Sequence, residues 1–205
     1  MRANVYIDGF NLYYGIRRWP GSKWLDVAVL AARLFPHDEI NRIRYFTAHV
    51  KGRGNPGAPD RQNTYLRALR TLPGLVITTG RFLVTEVRMP LVTPIGNERF
   101  AQVIKTEEKG SDVNLATYLL LDAFNRDCEM AIVISNDSDL VEPIRIVQQE
   151  PFGVVVWAVN PHPKPTEMGA AHQLTLKRNL VLASQFPLEV RLANGKVVRC
   201  PDNWR

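Results

Sequence analysis

The chain has little of what a zinc-binding or disulfide-stabilised protein requires. It contains two cysteines in 205 residues, Cys128 and Cys200, and four isolated histidines. No Cys/His spacing resembles a zinc site, and two cysteines so far apart do not suggest a disulfide framework. His162, in a proline-rich loop, is interpreted as an exposed histidine.

Two further absences narrow the class of protein. No apolar run approaches the roughly 20 residues that a membrane span needs, and the chain begins almost at once with a predicted strand instead of a signal peptide. Neither a G-x-G-x-x-G sequence after that strand nor a Walker sequence is present, which argues against a dinucleotide-binding dehydrogenase. We expect a cytoplasmic protein with no membrane partner.

Charge is distributed unevenly along the chain. The net charge is +6, yet residues 106–150 contain three Lys or Arg against ten Asp or Glu. The rest of the chain is basic, and a hydrophobic fraction of 45% is enough for a real core. An acidic centre in a basic protein suits a metal site that attracts a polyanion, although solvated surface lysines would also give a basic composition.

Apolar runs that end in Asp, Asn, Ser or Gly predict buried parallel strands. We predict five strands, at residues 3–8, 40–50, 75–84, 130–134 and 153–159. Between them we predict helices at residues 11–18, 26–35, 60–72, 111–125 and 138–149. This alternation indicates an α/β fold with a central, mostly parallel five-stranded sheet.

Two regions depart from this alternation. Residues 85–106 contain Met89-Pro90, Thr93-Pro94 and Gly96-Asn97, and we interpret them as an inserted β-ribbon or a long loop. Residues 181–205 form a C-terminal extension, in which Asn194-Gly195 predicts a small hairpin. The main domain is therefore expected to span residues 1–180.

Three aspartates fall at the carboxyl ends of predicted strands, where an open parallel sheet binds its ligands. Asp8 ends the first strand, and Asp137 and Asp139 follow the fourth. Carboxylates gathered in one crevice repel one another unless a cation neutralises them. Because oxygen ligands suit hard divalent ions, the pattern predicts a Mg²⁺ or Mn²⁺ site.

Three motifs carry a family resemblance. Ile7-Asp8-Gly9-Phe10-Asn11 ends the first strand, Lys109-Gly110-Ser111-Asp112-Val113 opens a helix, and Ile134-Ser135-Asn136-Asp137-Ser138-Asp139-Leu140 closes the fourth strand. Together they resemble the NYN family of PIN-like nucleases over residues 1 to about 180. The resemblance implies a three-layer α/β/α, Rossmann-like fold and a divalent-metal-dependent ribonuclease that leaves a 5′-phosphate and a 3′-hydroxyl.

The resemblance also assigns residues to the site. It matches Asp8, Asp112, Asp137 and Asp139 to acidic, metal-binding and catalytic positions, and Asn11 to a polar neighbour. Capping of the following helix is the alternative role for Asn11, Asp112 and Asp139. Tyr118 departs from the family pattern because many members have an acid there, which bears on whether a second ion binds, and Asp122 is the nearest acid. Many members also have Gly where Asn136 stands.

Several residues near this edge are candidates for substrate contact. Lys51, Arg53 and Lys109 would position a phosphate backbone without reading its sequence. Asn11 and Ser135 complete the predicted substrate-binding set. The aromatic residues Tyr13, Tyr14 and Trp19 could stack on bases, although such residues more often pack.

The leading interpretation is an endoribonuclease with RNA, or single-stranded nucleic acid generally, as its partner. One alternative is an RNA- or nucleotide-binding module with weak or no cleavage, which Tyr118 favours. Another alternative is a phosphatase or nucleotide hydrolase with the same fold. Asp137-Ser138-Asp139 is also a D-x-D sequence like that of some glycosyltransferases, but this leaves Asp8 unexplained. A homo-oligomer is left open.

Overall fold

A sheet of seven strands forms the centre of the computed structural model, which describes residues 1–52 and 54–205. Its strands are β1 Arg2–Asp8, β2 Glu39–Ala48, β3 Leu75–Ile95, β4 Glu98–Lys109, β5 Met130–Ile134, β6 Val155–Asn160 and β7 His172–Thr175. Their spatial order is β4-β3-β2-β1-β5-β6-β7, and every neighbouring pair except β3–β4 is parallel. A separate hairpin pairs β8 Glu189–Arg191 with β9 Val197–Arg199 around the predicted Asn194-Gly195 turn.

Helices cover both faces of this sheet. They are α1 Gly9–Ile16, α2 Val27–Leu34, α3 Ala58–Leu69, α4 Ser111–Phe124, α5 Val141–Gln149 and α6 Arg178–Ala183. Helices α1, α2 and α3 pack on one face with Val5 and Ile7 of β1, and α4 and α5 pack on the other with Tyr6. Because alternate strand residues point to opposite faces, β1 is buried on both sides. The fold is therefore the expected three-layer α/β/α arrangement.

The sheet has two more strands than the five predicted. The predicted five are present as β1, β2, β3, β5 and β6, and β7 and β4 extend the two edges. β7 is four residues long, too short to show a periodic pattern after a proline-rich loop. Its pairing with β6, where His172 stacks on Trp157 with ring centroids 4.3 Å apart, makes it a strand.

The predicted insertion at residues 85–106 is continuous with β3. This strand is 21 residues long and pairs with β4 from Arg81, opposite Lys109, to Ile95, opposite Glu98. Pro90 lies inside β3 and, with Pro94, suggested a turn in the sequence. A two-stranded ribbon has free edges, so a proline whose nitrogen faces an edge loses no ladder hydrogen bond.

The C-terminal residues fold back over the α1–α3 face. Val190, Val198 and Trp204 belong to the same hydrophobic core as α1, α2 and α3. The Trp24 indole N–H donates to the carbonyl of Pro187 at 2.8 Å, which ties this segment to the main domain. Within the described part of the chain, every helix is too short or too polar to cross a bilayer.

Candidate metal centre

Three carboxylates from three different elements converge at the carboxyl edge of the sheet. Asp8 ends β1, Asp112 lies in the first turn of α4, and Asp137 follows β5. One oxygen atom from each lies within 4.8 Å of the others. Since metal–oxygen bonds of about 2.0–2.6 Å place two ligands of one ion at most roughly 5 Å apart, the three residues fit a single divalent ion.

Hydrogen bonds from neighbouring elements hold Asp8 in place. Its Oδ1 accepts from the backbone N–H of Asn11 at 2.9 Å, which caps α1, and its Oδ2 accepts from the Ser135 hydroxyl at 3.0 Å. The Ser135 hydroxyl oxygen also accepts from the backbone N–H of Asp137 at 3.1 Å. Ser135 is fully buried, and its hydroxyl links the two metal-ligand candidates Asp8 and Asp137.

A tight turn between β4 and α4 presents Asp112. Gly110 has a φ of +102°, in the region that favours glycine, and lets the chain turn directly into the helix. The Glu108 carboxylate accepts from the backbone N–H and the hydroxyl of Ser111, at 3.2 and 2.9 Å. Sequence reasoning missed Glu108, although it directly precedes the Lys109-Gly110-Ser111-Asp112 motif.

Asp139 does not join this group. It is exposed, and its backbone N–H donates to Asp137 Oδ1 at 3.0 Å. The structure therefore brings together three of the four predicted metal ligands and places the fourth beside them.

The local charge balance favours the binding of a cation. Burial raises the pKa of Asp8, and burial together with the charges of Asp8 and Asp137 raises the pKa of Asp112 to about 6. None of the three aspartates forms an ion pair with Lys or Arg within residues 1–52 and 54–205. Mutual repulsion therefore remains until a cation binds among them.

A network of amides supports the loop after β5. The backbone N–H of Asn136 donates to Asn11 Oδ1 at 2.9 Å, and Asn136 Oδ1 accepts from the Asn160 side chain and from the backbone N–H of Thr166. His162 Nε2 lies 3.1 Å from the carbonyl of Asn11, so this histidine is half-buried and not the exposed loop residue expected. Asn160 was missed, but it ends β6 and the same strand-end argument applies to it.

Two of the predicted substrate cations, Lys51 and Lys109, lie at the surface. Lys109 is exposed beside the motif and pairs with Glu107 at 3.6 Å. Lys51 is exposed in the segment after β2. Arg53 lies outside the described residues. Substrate contact by Asn11, Lys51, Arg53, Lys109 and Ser135 stays a prediction.

Asp122, the acidic residue nearest to Tyr118 in the sequence, forms a buried ion pair with Arg44. Asp122 is 3% exposed and accepts two hydrogen bonds from the Arg44 guanidinium, at 2.7 and 2.8 Å. The Tyr6 hydroxyl donates to the same carboxylate at 2.9 Å. Tyr118 packs its ring 4.3 Å from the Arg44 guanidinium carbon, so the space around position 118 is taken up by this buried ion pair.

A cavity of about 360 Å³ lies next to the carboxylates. It begins at Gly9 and Phe10, which directly follow Asp8, and extends between α1, α3 and the base of the ribbon. Tyr45 lines it, and both burial and the charge of Asp8 raise the pKa of that tyrosine. The cavity and the carboxylate cluster are therefore neighbours.

A curated protein and a solved crystal structure are similar to this chain. It is 28% identical to 6-hydroxy-3-succinoylpyridine 3-monooxygenase HspA of Pseudomonas putida, over 76% of this chain and 59% of that protein. The chain thus spans 59% of the length of this curated relative. A crystal structure of a protein of unknown function from Vibrio parahaemolyticus matches with a TM-score of 0.58 and 16% identity, over 86% of this chain and 93% of the other. That likeness shows a shared fold.

The family model for the NYN domain matches residues 2–176. This range contains Asp8, Asp112 and Asp137 with the three motifs that carry them, and it stops before helix α6 and the C-terminal extension. The chain belongs to the NYN domain family, which is nuclease-like.

Proposed function

We propose that this protein is a divalent-metal-dependent ribonuclease that hydrolyses phosphodiester bonds in RNA. The observation that carries the proposal is the convergence of Asp8, Asp112 and Asp137 within 4.8 Å. When bound, Mg²⁺ or Mn²⁺ supplies a water of lowered pKa and stabilises negative charge on phosphate oxygens.

The residues of the chain have distinct roles in this proposal. Asp8, Asp112 and Asp137 hold the ion. Ser135 and the backbone of Asn11 fix both oxygens of Asp8, so the direction of its remaining lone pairs is set before the ion binds. Asp139 is exposed beside Asp137, and its carboxylate would add negative charge near the ion.

The charge distribution supports a polyanionic substrate. Outside residues 106–150 the chain has 23 Lys or Arg and 10 Asp or Glu, whereas the segment with Asp112 and Asp137 is acidic. Positive potential around an acidic centre attracts a nucleic acid toward the ion site. Lys51 and Lys109 are both exposed, and in this proposal they contact the phosphate backbone of the substrate.

The test uses the purified protein with labelled RNA, single-stranded DNA and a generic phosphomonoester, each with Mn²⁺ or with EDTA. We expect cleavage of RNA that requires Mn²⁺ and leaves a 5′-phosphate. Asp8→Asn should abolish most of this cleavage. Asp127→Asn is the matched control, because Asp127 is a half-exposed aspartate that pairs with Arg42 at 3.1 Å, away from the cluster.

The same assay separates the alternatives. Tight RNA binding without cleavage by the wild type would identify an RNA-binding module, the reading that Tyr118 favours. Hydrolysis of the phosphomonoester alone would identify a phosphatase. Cleavage that persists in EDTA, or that is equal in Asp8→Asn, would contradict a metal-dependent site at these carboxylates.

The name of the curated relative suggests a second candidate function, monooxygenation of a small aromatic ring. One observation favours it, the aromatic-lined cavity beside the cluster. Monooxygenation transfers one atom of O₂ to the ring and reduces the other to water with two electrons from a reductant. Oxygen uptake that depends on 6-hydroxy-3-succinoylpyridine and an added two-electron reductant would support this function, and no such uptake would contradict it.

A further inference from the structure

We propose that the cavity beside the carboxylates binds a planar aromatic ring that carries an anionic group. The inference concerns binding, and it holds whichever reaction the neighbouring site performs. It rests on the aromatic and cationic lining of the cavity, on one tyrosine hydroxyl in that lining, and on the C-terminal segment that closes the cavity.

The cavity has the size and position of a ligand site. Its volume of about 360 Å³ falls in the range of roughly 300–1,000 Å³ that is common for small-molecule pockets. A Cβ atom at Gly9 would lie 2.7 Å from the Tyr45 ring and from the carbonyl of Phe46. Glycine at this position therefore keeps Tyr45 pressed against the start of α1, one residue after Asp8.

Aromatic rings from five parts of the chain form the walls. They come from α1, β2, α3, the ribbon and the C-terminal segment, and comprise Phe10, Tyr13, Tyr14, Tyr45, Tyr65, Phe82 and Trp204. Phe10 meets Phe82 edge to face at 5.7 Å, and Tyr65 meets Trp204 at 5.8 Å. A planar ring inserted among them would gain the stacked and edge-to-face contacts that aromatic groups prefer.

The charged residues of the lining are all cationic. Arg17, Lys23, Lys51 and Arg61 contribute to it, and no Asp or Glu does within the described residues. None of the four forms an ion pair in that part of the chain. This unbalanced positive charge beside an apolar interior indicates that the ring carries an anion.

One tyrosine hydroxyl of the cavity lining is not used by the fold. Tyr45 is 5% exposed and lines the cavity, and its hydroxyl forms no hydrogen bond with the described residues. Tyr65, by contrast, donates its hydroxyl to the carbonyl of Leu25 at 2.8 Å. Because it lines the cavity, the Tyr45 hydroxyl is available to donate a hydrogen bond to an acceptor on the ligand.

The C-terminal segment completes the cavity. Trp204 packs against Tyr13 and Tyr65, with ring centroids 6.2 and 5.8 Å away. The NYN match ends at residue 176, so this wall comes from outside the matched family domain. We therefore assign the ligand preference to this chain and not to the family domain in general.

Two sources share this ligand chemistry. A nucleotide offers a base and a phosphate, and a free aromatic acid offers a ring and a carboxylate. Titration of the wild-type protein in EDTA tests both, because without metal the carboxylates cannot recruit the anion. The probes are uridine 5′-monophosphate, pyridine-3-carboxylate, ribose 5-phosphate as an anion without an aromatic ring, and uridine as a ring without an anion.

We expect at least one probe with both features to bind ten times more tightly than ribose 5-phosphate and uridine. Preference for the nucleotide would identify a nucleic-acid source, and preference for the pyridine acid would identify a small-molecule source. Equal affinity for all four probes, or no binding of any, would overturn the proposal. Since no cleavage is measured, failure of the ribonuclease assay does not affect the result.

Variants localise the binding. Arg61→Ala and Tyr45→Phe should each weaken the preferred probe by roughly 3- to 10-fold, the effect of one hydrogen bond. Arg67→Ala is the matched control, because Arg67 is exposed on the same helix and lies outside the cavity lining. Equal weakening by Arg67→Ala would show general charge attraction and overturn the proposal. If Arg61→Ala does not fold, Tyr45→Phe, which keeps the ring, decides alone.

Discussion

Helix α4 carries two aspartates in opposite electrostatic situations. Asp112, in its first turn, lies within reach of Asp8 and Asp137 and has no cationic partner among the described residues. Asp122, about three turns further along the helix, is buried against Arg44 with two hydrogen bonds of 2.7 and 2.8 Å. Among the described residues, Asp122 therefore has a cationic partner and Asp112 has none.

The difference separates structural charges from functional ones. A buried carboxylate with a bidentate guanidinium is neutralised by the fold itself, so its removal should damage the fold. A cluster of carboxylates without a cation is destabilising on its own, and it becomes favourable only when something outside the chain supplies positive charge. Four measurements test whether Asp112 and Asp122 differ in this way.

The largest expected effect is on stability at the balanced pair. Asp122→Asn should lower the free energy of unfolding by about 3–5 kcal/mol, because it leaves the Arg44 charge buried and unpaired. Asp127→Asn, which affects a half-exposed pair with Arg42, should lower the free energy of unfolding by less than about 1 kcal/mol. Urea denaturation in EDTA measures both. Equal losses would mean that burial does not distinguish the two pairs.

The next effect is on activity at the unbalanced cluster. Asp112→Asn removes a charged ligand while keeping its shape, so metal-dependent RNA cleavage should fall by about 10²-fold or more. Its stability in EDTA should stay equal or rise, because one repelling charge is gone. A loss of stability as large as that of Asp122→Asn would assign Asp112 to the fold instead.

Metal binding should give a smaller, thermodynamic signal. At ten times its dissociation constant, Mn²⁺ should stabilise the wild type by about 1.4 kcal/mol and raise the melting temperature by a few degrees. Asp137→Asn should lose most of this increase, and Asp127→Asn should keep it. Calorimetry with and without Mn²⁺ makes the measurement, and an unchanged shift in Asp137→Asn would exclude it as a ligand.

The smallest expected effect is the pH dependence of stability in the absence of metal. The Asp112 pKa is about 6 in the folded protein, above the roughly 3.9 of a free aspartate, so its protonated form is favoured by folding. Its contribution to metal-free stability is therefore greatest at low pH and is lost as the pH rises through about 6.

Two curves test this sign. Stability in EDTA should decline from about pH 4 to 6 more in the wild type than in Asp112→Asn, by a small amount because water screens this half-buried group. Mn²⁺ affinity should rise over the same range, since the proton and the ion compete. Parallel stability curves for the two proteins would contradict the shifted pKa.

The sequence alone determined the features that depend on neighbouring residues. Apolar runs predicted the five central parallel strands, and the Asn194-Gly195 turn predicted the hairpin that pairs β8 with β9. The rule that ligands bind where parallel strands end selected Asp8, Asp137 and Asp139, of which the structure brings the first two into the cluster. Selection of Asp112 needed the family motif, because a helix-capping residue would have the same local pattern.

Contacts between residues that are distant in the sequence are visible only in the tertiary structure. Arg44 reaches Asp122 across 78 positions, and no local pattern distinguishes that aspartate from a solvated one. β7 becomes a strand through its pairing with β6, and Trp204 reaches Tyr13 only because the C-terminal segment folds back. Helix capping, turns and periodicity are short-range effects, whereas the choice of partner across a core depends on the complete path of the chain.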